Sequence, residues 1–134
     1  MMPVDRVAPS SAPVLLVEDD EASQRAVQWV LELGGYATVT ASSGSEALGY
    51  LLAGALPLPS LIVLDLKLPD MTGDVLYGVL RAQPQLSEIP VVVFTGHPDI
   101  PPLPGVAGTV IKGSHPDVLL RHVDAACGHS RDHR

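Results

Sequence analysis

The 134-residue sequence predicts an α/β fold in which a parallel sheet is covered by helices on both faces. Three observations carry that prediction. Short apolar runs end abruptly in polar residues, as strands do when they deliver side chains to one rim. Stretches of helical period separate those runs. Crossovers between parallel strands are right-handed, which sets the intervening helices against the sheet.

The central run is Leu61-Ile62-Val63-Leu64, bounded by Pro59 on one side and by Pro69, Asp70 and Gly73 on the other. Four consecutive apolar residues suit a strand buried on both faces, and Asp65 follows directly. In open α/β sheets the rim beyond the carboxyl ends of the strands is where ligands bind. Asp65 is therefore the first candidate site residue.

The rest of the chain is read around it. Residues 13–17 form a second buried strand ending in Glu18, Asp19 and Asp20. From Glu21 to Leu33, the apolar residues Ala22, Ala26, Val27, Val30 and Leu31 recur at helical spacing, and Gly34-Gly35 supplies the stop. Trp29 lies beside that stripe and is read as a core flank, with a partner contact as the alternative. Residues 36–41 alternate and are rich in β-branched types, which suits an edge strand. Ser42 or Ser43 caps the next helix, with Glu46 completing a capping box, and Gly54 ends it.

Residues 72–83 predict a helix with Val75, Leu76, Val79 and Leu80 toward the core and Gly78 as an interior liability. Residues 90–95 give a fourth strand ending in Thr95. Between Gly96 and Gly105, four prolines (Pro98, Pro101, Pro102, Pro104) obstruct a continuous helix and leave a loop or turn. Residues 105–111 give a fifth strand ending in Lys112. Residues 114–127 give a final helix with Val118, Leu119, Val123 and Ala126 on one face, and Pro116 and Asp117 suit its first turn.

Composition narrows the function. A hydrophobic content of 46% suits one globular domain over residues 13–127, with residues 1–12 and 128–134 as flexible tails. The net charge of −7 and scattered Lys and Arg disfavour nucleic acid as a partner. No apolar stretch suits a signal peptide or a membrane span, because Pro57, Pro59, Ser60 and Asp65 interrupt the most apolar region. The lone Cys127 fits a reducing, cytoplasmic compartment and reads as inert.

Collected at the strand ends are Glu18 and Asp19, then Asp65, then Thr95, then Lys112. Any one alone is most simply a loop residue or a cap. Together, three carboxylates in one pocket repel each other unless a cation neutralises them. Mg²⁺ suits such a set, because it takes one or two carboxylates, several waters and a phosphate oxygen. A carboxylate such as Asp65 can then act as nucleophile toward phosphorus, with Lys112 and the Thr95 hydroxyl meeting the phosphoryl charge.

At these residues the chain resembles a response-regulator receiver domain, over roughly residues 14–127. VLLVEDD resembles the acidic-pair motif, LIVLDLKLPDMTG the phosphorylation-site motif, PVVVFTG the switch-hydroxyl strand and GTVIK the strand bearing the essential lysine. The resemblance implies a flavodoxin-like doubly wound sheet of strand order 2-1-3-4-5. It implies Asp65 as phospho-acceptor, with Thr95 and Lys112 assisting. It also implies Mg²⁺ held by Asp19 and Asp65, by Glu18 through water, and by the backbone carbonyl of Lys67.

Three departures from the family, and two further positions, bear on mechanism. Gly113 stands where proline usually follows the lysine, so a trans Lys112-Gly113 bond is expected. Thr109 replaces the usual switch aromatic. The proline-rich segment is shorter than the usual loop and fourth helix, so the output face is lost or remodelled. In family members the positions of Lys67 and His97 lie at the pocket mouth, so their bulk is expected to obstruct attack of water on an acyl phosphate and slow self-dephosphorylation; the alternative is that both side chains point into solvent.

The function expected from these residues is a stand-alone receiver, phosphorylated on Asp65 by a histidine kinase or histidine phosphotransfer protein and signalling to a downstream protein target. The alternative is a non-switching pseudo-receiver acting as an interaction module. A phosphohydrolase is disfavoured, because such enzymes place an acid/base aspartate two residues after the nucleophile, where this chain has Lys67.

Overall fold

The computed structural model describes residues 12–54, 57–96 and 103–128. Along these run β1 (Val14–Val17), α1 (Glu21–Leu33), β2 (Thr38–Ala41), α2 (Gly44–Leu52), β3 (Leu61–Leu64), α3 (Gly73–Ala82), β4 (Val91–Thr95), β5 (Gly108–Ile111) and α4 (Pro116–Cys127). The strands form one parallel sheet in the order β2-β1-β3-β4-β5. This is the flavodoxin-like doubly wound order. The chain moves outward from β1 to β2 and then returns to β3 on the other side, so the strand order reverses between β1 and β3.

Alternation along the strands divides the core. Leu15, Val17, Ile62 and Leu64 face α2 and α3, where they meet Ala47, Leu51, Leu76 and Leu80. Val14, Leu16, Leu61 and Val63 face α1 and α4, where they meet Val27, Leu31, Leu119 and Val123. Each such Val, Leu or Ile side chain, fully buried, contributes about 1.5–3 kcal/mol of transfer free energy. The Tyr36 hydroxyl, just before β2, donates to the buried Asp124 carboxylate of α4, so this buried acid has a partner.

Caps set the helix starts. Asp20 caps α1 by accepting from the Ser23 N–H at 2.8 Å. Ser43 caps α2 by accepting from the Glu46 N–H at 3.0 Å, while Glu46 reaches back to the Ser42 N–H at 2.6 Å rather than to Ser43 itself. Thr72 precedes α3 without a side-chain cap, and His115 caps α4 by accepting from the Asp117 N–H, so this helix starts at Pro116 rather than at residue 114.

Several expectations need correction. Ala22 and Ala26 are exposed, and so is Trp29, which is 64% accessible and no core flank. With Leu33 they lie on the side of α1 opposite Val27 and Leu31, because the inward side of the first turn faces the polar rim: Gln24 donates there to the Glu18 carbonyl at 2.9 Å. Val75 is also exposed, and Tyr77 takes the inward position. Leu103 and Val106 pack into the same core cluster as Tyr77, whose hydroxyl donates to the Pro104 carbonyl at 2.9 Å. Gly78 meets open space, so it costs helix propensity without serving a close contact.

Strands β2 and β5 start later than the sequence suggests, at Thr38 and Gly108. No helix lies between β4 and β5 among the described residues. Most of the proline-rich segment, residues 97–102, and with it the expectation for His97, falls outside them.

Candidate functional site

Strand register assembles the site. Val17 pairs with Leu64, so the next residues, Glu18 and Asp65, emerge side by side at the switch point. The Asp65 N–H donates to the Val17 carbonyl at 3.0 Å and the Glu18 N–H to the Ala41 carbonyl at 3.0 Å, which fixes both backbones. Leu64 pairs with Val93 and Thr95 with Ile111, so β4 and β5 reach beyond β3. Lys112 follows Ile111 and donates its N–H to the Thr95 carbonyl at 2.7 Å. Its side chain can therefore reach back over the acidic residues.

It does so. Lys112 Nζ lies 2.7 Å from Glu18 Oε1 and 3.3 Å from Asp65 Oδ2. Asp65 is 5% exposed and Glu18 1%. Glu18 Oε2 accepts from the Asp20 N–H at 2.9 Å, whereas Oε1 faces the ammonium without an aligned hydrogen bond. Burial pushes the Glu18 carboxyl above its ordinary range, and the neighbouring ammonium and the Asp20 N–H only partly oppose that. For Lys112 the balance reverses: burial disfavours its charge, but Glu18 and Asp65 together hold its pKa above the ordinary value.

A cavity of about 410 Å³ opens over this group, lined by the acids Glu18, Asp19, Asp20 and Asp65, by Lys112, and by the wall residues Lys67, Leu68, Pro69 and Gly96. Asp19 is exposed, and ligand oxygens of Glu18, Asp19 and Asp65 lie within 4.8 Å of one another. Thr95 is buried on the same rim, and its neighbour Gly96 forms the cavity wall at that strand end. The donor set is all oxygen and anionic, and the buried Glu18 Oε1 has no aligned donor. Such a set suits a hard divalent cation.

The loop after β3 is closed tightly. The Lys67 N–H donates to Asp65 Oδ1 at 3.3 Å, Lys67 bridges Thr72, and the Gly73 N–H donates to the Leu66 carbonyl at 2.8 Å. A Cβ on Gly73 would stand 2.6 Å from Leu66 Cα and 2.7 Å from the Asp65 carbonyl, so only glycine fits. At the tip of the loop, Asp70 accepts from the Gly44 N–H, the Ser45 N–H and the Ser45 hydroxyl at 2.9, 2.8 and 2.7 Å. Those donors hold the Asp70 carboxyl down to about 2. Sequence reasoning used Asp70 only as a turn residue, since its partners lie 25 and 26 residues away.

After Lys112 the chain turns at once: the Ser114 N–H donates to the Ile111 carbonyl at 3.1 Å. Gly113 occupies the third position of that turn with φ +94°, the position that type II turns reserve for glycine. Thr109 is exposed on β5.

Fold and site define the class: a doubly wound α/β domain with an acidic pocket and an opposed lysine at its carboxyl rim. The chain belongs to the response regulator receiver domain family, which it matches over residues 14–124. Among curated relatives it is 36% identical over 94 residues to the C4-dicarboxylate transport transcriptional regulatory protein DctD of Rhizobium meliloti, covering 69% of this chain and 19% of that one. It is 33% identical over 88 residues to the two-component response regulator ORR6 of Oryza sativa, covering 66% of this chain and 52% of that one.

Among solved structures it resembles the chemotaxis response regulator CheY4 of Vibrio cholerae, at TM-score 0.74 and 28% identity over 86% of this chain and 98% of that one. It also resembles the signal receiver domain of a signal transduction histidine kinase from Syntrophus aciditrophicus, at TM-score 0.75 and 30% identity over 92% and 96%. No helix among the described residues is long and apolar enough to cross a membrane.

Proposed function

We propose that this receiver accepts a phosphoryl group on Asp65 from a histidine kinase or histidine phosphotransfer protein, in a Mg²⁺-dependent step, and signals through contacts with a downstream protein. One observation carries the reading: a buried carboxylate at the floor of an open cavity, 3.3 Å from a lysine ammonium and grouped with two further acids. A carboxylate oxygen of Asp65 attacks phosphorus, the bond from phosphorus to the donor breaks with its electron pair, and an acyl phosphate results. Lys112 is placed to meet the negative charge that gathers on the phosphoryl oxygens. Glu18, Asp19, Asp65 and the Lys67 carbonyl are the groups proposed to hold the cation. When bound, it supplies charge neutralisation among the acids and on the phosphoryl oxygens.

The test is intact-protein mass spectrometry after incubation with Mg²⁺ and acetyl phosphate, beside Asp65→Asn. A metal-dependent phosphoryl adduct that the variant lacks supports the reading. Absence of any adduct, under conditions that label an ordinary receiver, overturns it in favour of a pseudo-receiver. That second reading draws on the exposed Thr109 and on Pro98, Pro101, Pro102 and Pro104 in the segment between β4 and β5, a density of proline that obstructs a helix. Lys67 at the position two after Asp65 offers no carboxyl for acid/base turnover of an external substrate, so the chemistry is that of signalling.

A further inference from the structure

We infer that Asp70 is a positioning residue for cation binding, a latch that pins the wall of the pocket to the start of α2. The inference rests on the reading of the acidic cluster as a divalent-cation site. Leu66 to Thr72 form a loop whose base is closed by the Gly73–Leu66 hydrogen bond and the Lys67–Thr72 bridge. Lys67, Leu68 and Pro69 line the cavity from this loop. The bonds at the base, and Leu68 buried in the core, do not reach the tip at Pro69 and Asp70, which would be free to swing without a further tie.

Asp70 removes that freedom. Its carboxylate takes three hydrogen bonds from Gly44 and Ser45, the first two residues of α2, where the helix has N–H groups without intrahelical acceptors and a dipole that favours an anion. The adjoining Met71 packs directly on Gly44, whose missing Cβ would stand 2.5 Å from the Met71 sulfur. Polar and apolar contacts thus seat the tip on the same turn. Through the loop, the latch sets where the Lys67 carbonyl stands relative to Asp65. Groups that orient a metal's ligands from outside typically govern about 10–100-fold in affinity.

The experiment is isothermal titration calorimetry of the full chain with Mg²⁺, with the melting temperature recorded for each variant. Asp70→Ala is expected to weaken Mg²⁺ binding about tenfold, and saturating Mg²⁺ should restore most of its labelling by acetyl phosphate. Ser45→Ala breaks one of the three bonds without changing charge, and should weaken binding less but in the same direction. Asp74→Asn removes a comparable exposed charge without touching the latch, and Val123→Ala lowers stability from the opposite face of the sheet. Both should bind Mg²⁺ as wild type does.

If Asp70→Ala and Ser45→Ala lower only the melting temperature, as Val123→Ala does, Asp70 merely caps α2 and the inference is overturned. It is equally overturned if Asp74→Asn weakens binding as much as Asp70→Ala, because net charge then explains the loss. A wild-type chain that binds no Mg²⁺ and takes no label refutes the underlying reading of the site. A wild type that does both, with an unaffected Asp70→Ala, refutes the latch alone.

Discussion

Lys112 Nζ stands 2.7 Å from Glu18 Oε1, and Glu18 is among the most deeply buried polar residues described. The lysine side chain is 27% exposed, so the pair is lopsided: the acid has left water and the base has not. Removing the lysine leaves Glu18 and Asp65 facing each other in a buried site with no counter-charge. Removing one partner of a buried pair costs about 3–5 kcal/mol, and the partial exposure of Lys112 places this case nearer the low end. Lys112→Met should therefore lower the metal-free stability, measured by urea unfolding, by about 3 kcal/mol. The double variant Glu18→Gln/Lys112→Met should recover most of the loss.

Gly73 fixes the acceptor loop by close approach rather than by an unusual dihedral. Its absent Cβ would meet the Leu66 backbone and the Asp65 carbonyl, neither of which can swing away as a side-chain tip could. Gly73→Ala should cost about 1–3 kcal/mol, the range for overpacking a well-filled site. It should also slow labelling by acetyl phosphate, since the atom displaced belongs to Asp65 itself. Unfolding and labelling of the same variant check both effects.

Much of this was readable from the chain, for identifiable reasons. Glu18, Asp65 and Lys112 each follow an apolar strand directly, and parallel register converts that local pattern into proximity. The strand order came from resemblance, because sequence period does not say which side of β1 the third strand joins. The inward faces of α1 and α3 were harder. Alanine is apolar wherever it stands, so Ala22 and Ala26 mimicked a core stripe on a face that lies in solvent. Spacing within α3 favours Val75 over Tyr77, because the tyrosine hydroxyl needs a partner and the Pro104 carbonyl that supplies it lies outside the helix. The Asp70 latch was invisible for the same reason: its partners belong to another element.

Acid should loosen that latch in a defined window. The Asp70 carboxyl titrates near 2 in the folded chain against an ordinary value of 3.8. A depressed carboxyl contributes stability that is fully present above the unfolded value and is lost as pH falls through the folded one. Between about pH 4 and pH 2 the wild type should therefore lose stability that Asp70→Asn never had. The difference between their melting temperatures should shrink steadily across that range and stay flat above it.

Trp29 and Leu31 are two residues apart on α1 and should behave as opposites. Trp29 is 64% exposed, whereas Leu31 is fully buried against the strands. Trp29→Ala should change stability by no more than about 0.5 kcal/mol. Leu31→Ala should cost about 2–5 kcal/mol, since it leaves a cavity in a close-packed layer. Because Trp29 is the only tryptophan, its fluorescence should be quenched efficiently by iodide in the folded protein, which checks its exposure directly.

Lys67 offers a handle on phosphoryl lifetime that leaves the acceptor intact. It is the backbone of Lys67 that touches Asp65, through an N–H bond of 3.3 Å that any residue but proline retains. The side chain is exposed on the cavity wall, beside the path by which water would reach a phosphoryl group on Asp65. Loss of that group requires water in line with the bond from phosphorus to the Asp65 oxygen. A long cationic chain extended over the mouth would stand in the way of that approach. Lys67→Ala should shorten the lifetime of the adduct by up to about tenfold, equivalent to about 1.4 kcal/mol of barrier. The decay of the labelled mass after removal of acetyl phosphate measures it. An unchanged decay would mean that the Lys67 side chain points away into solvent.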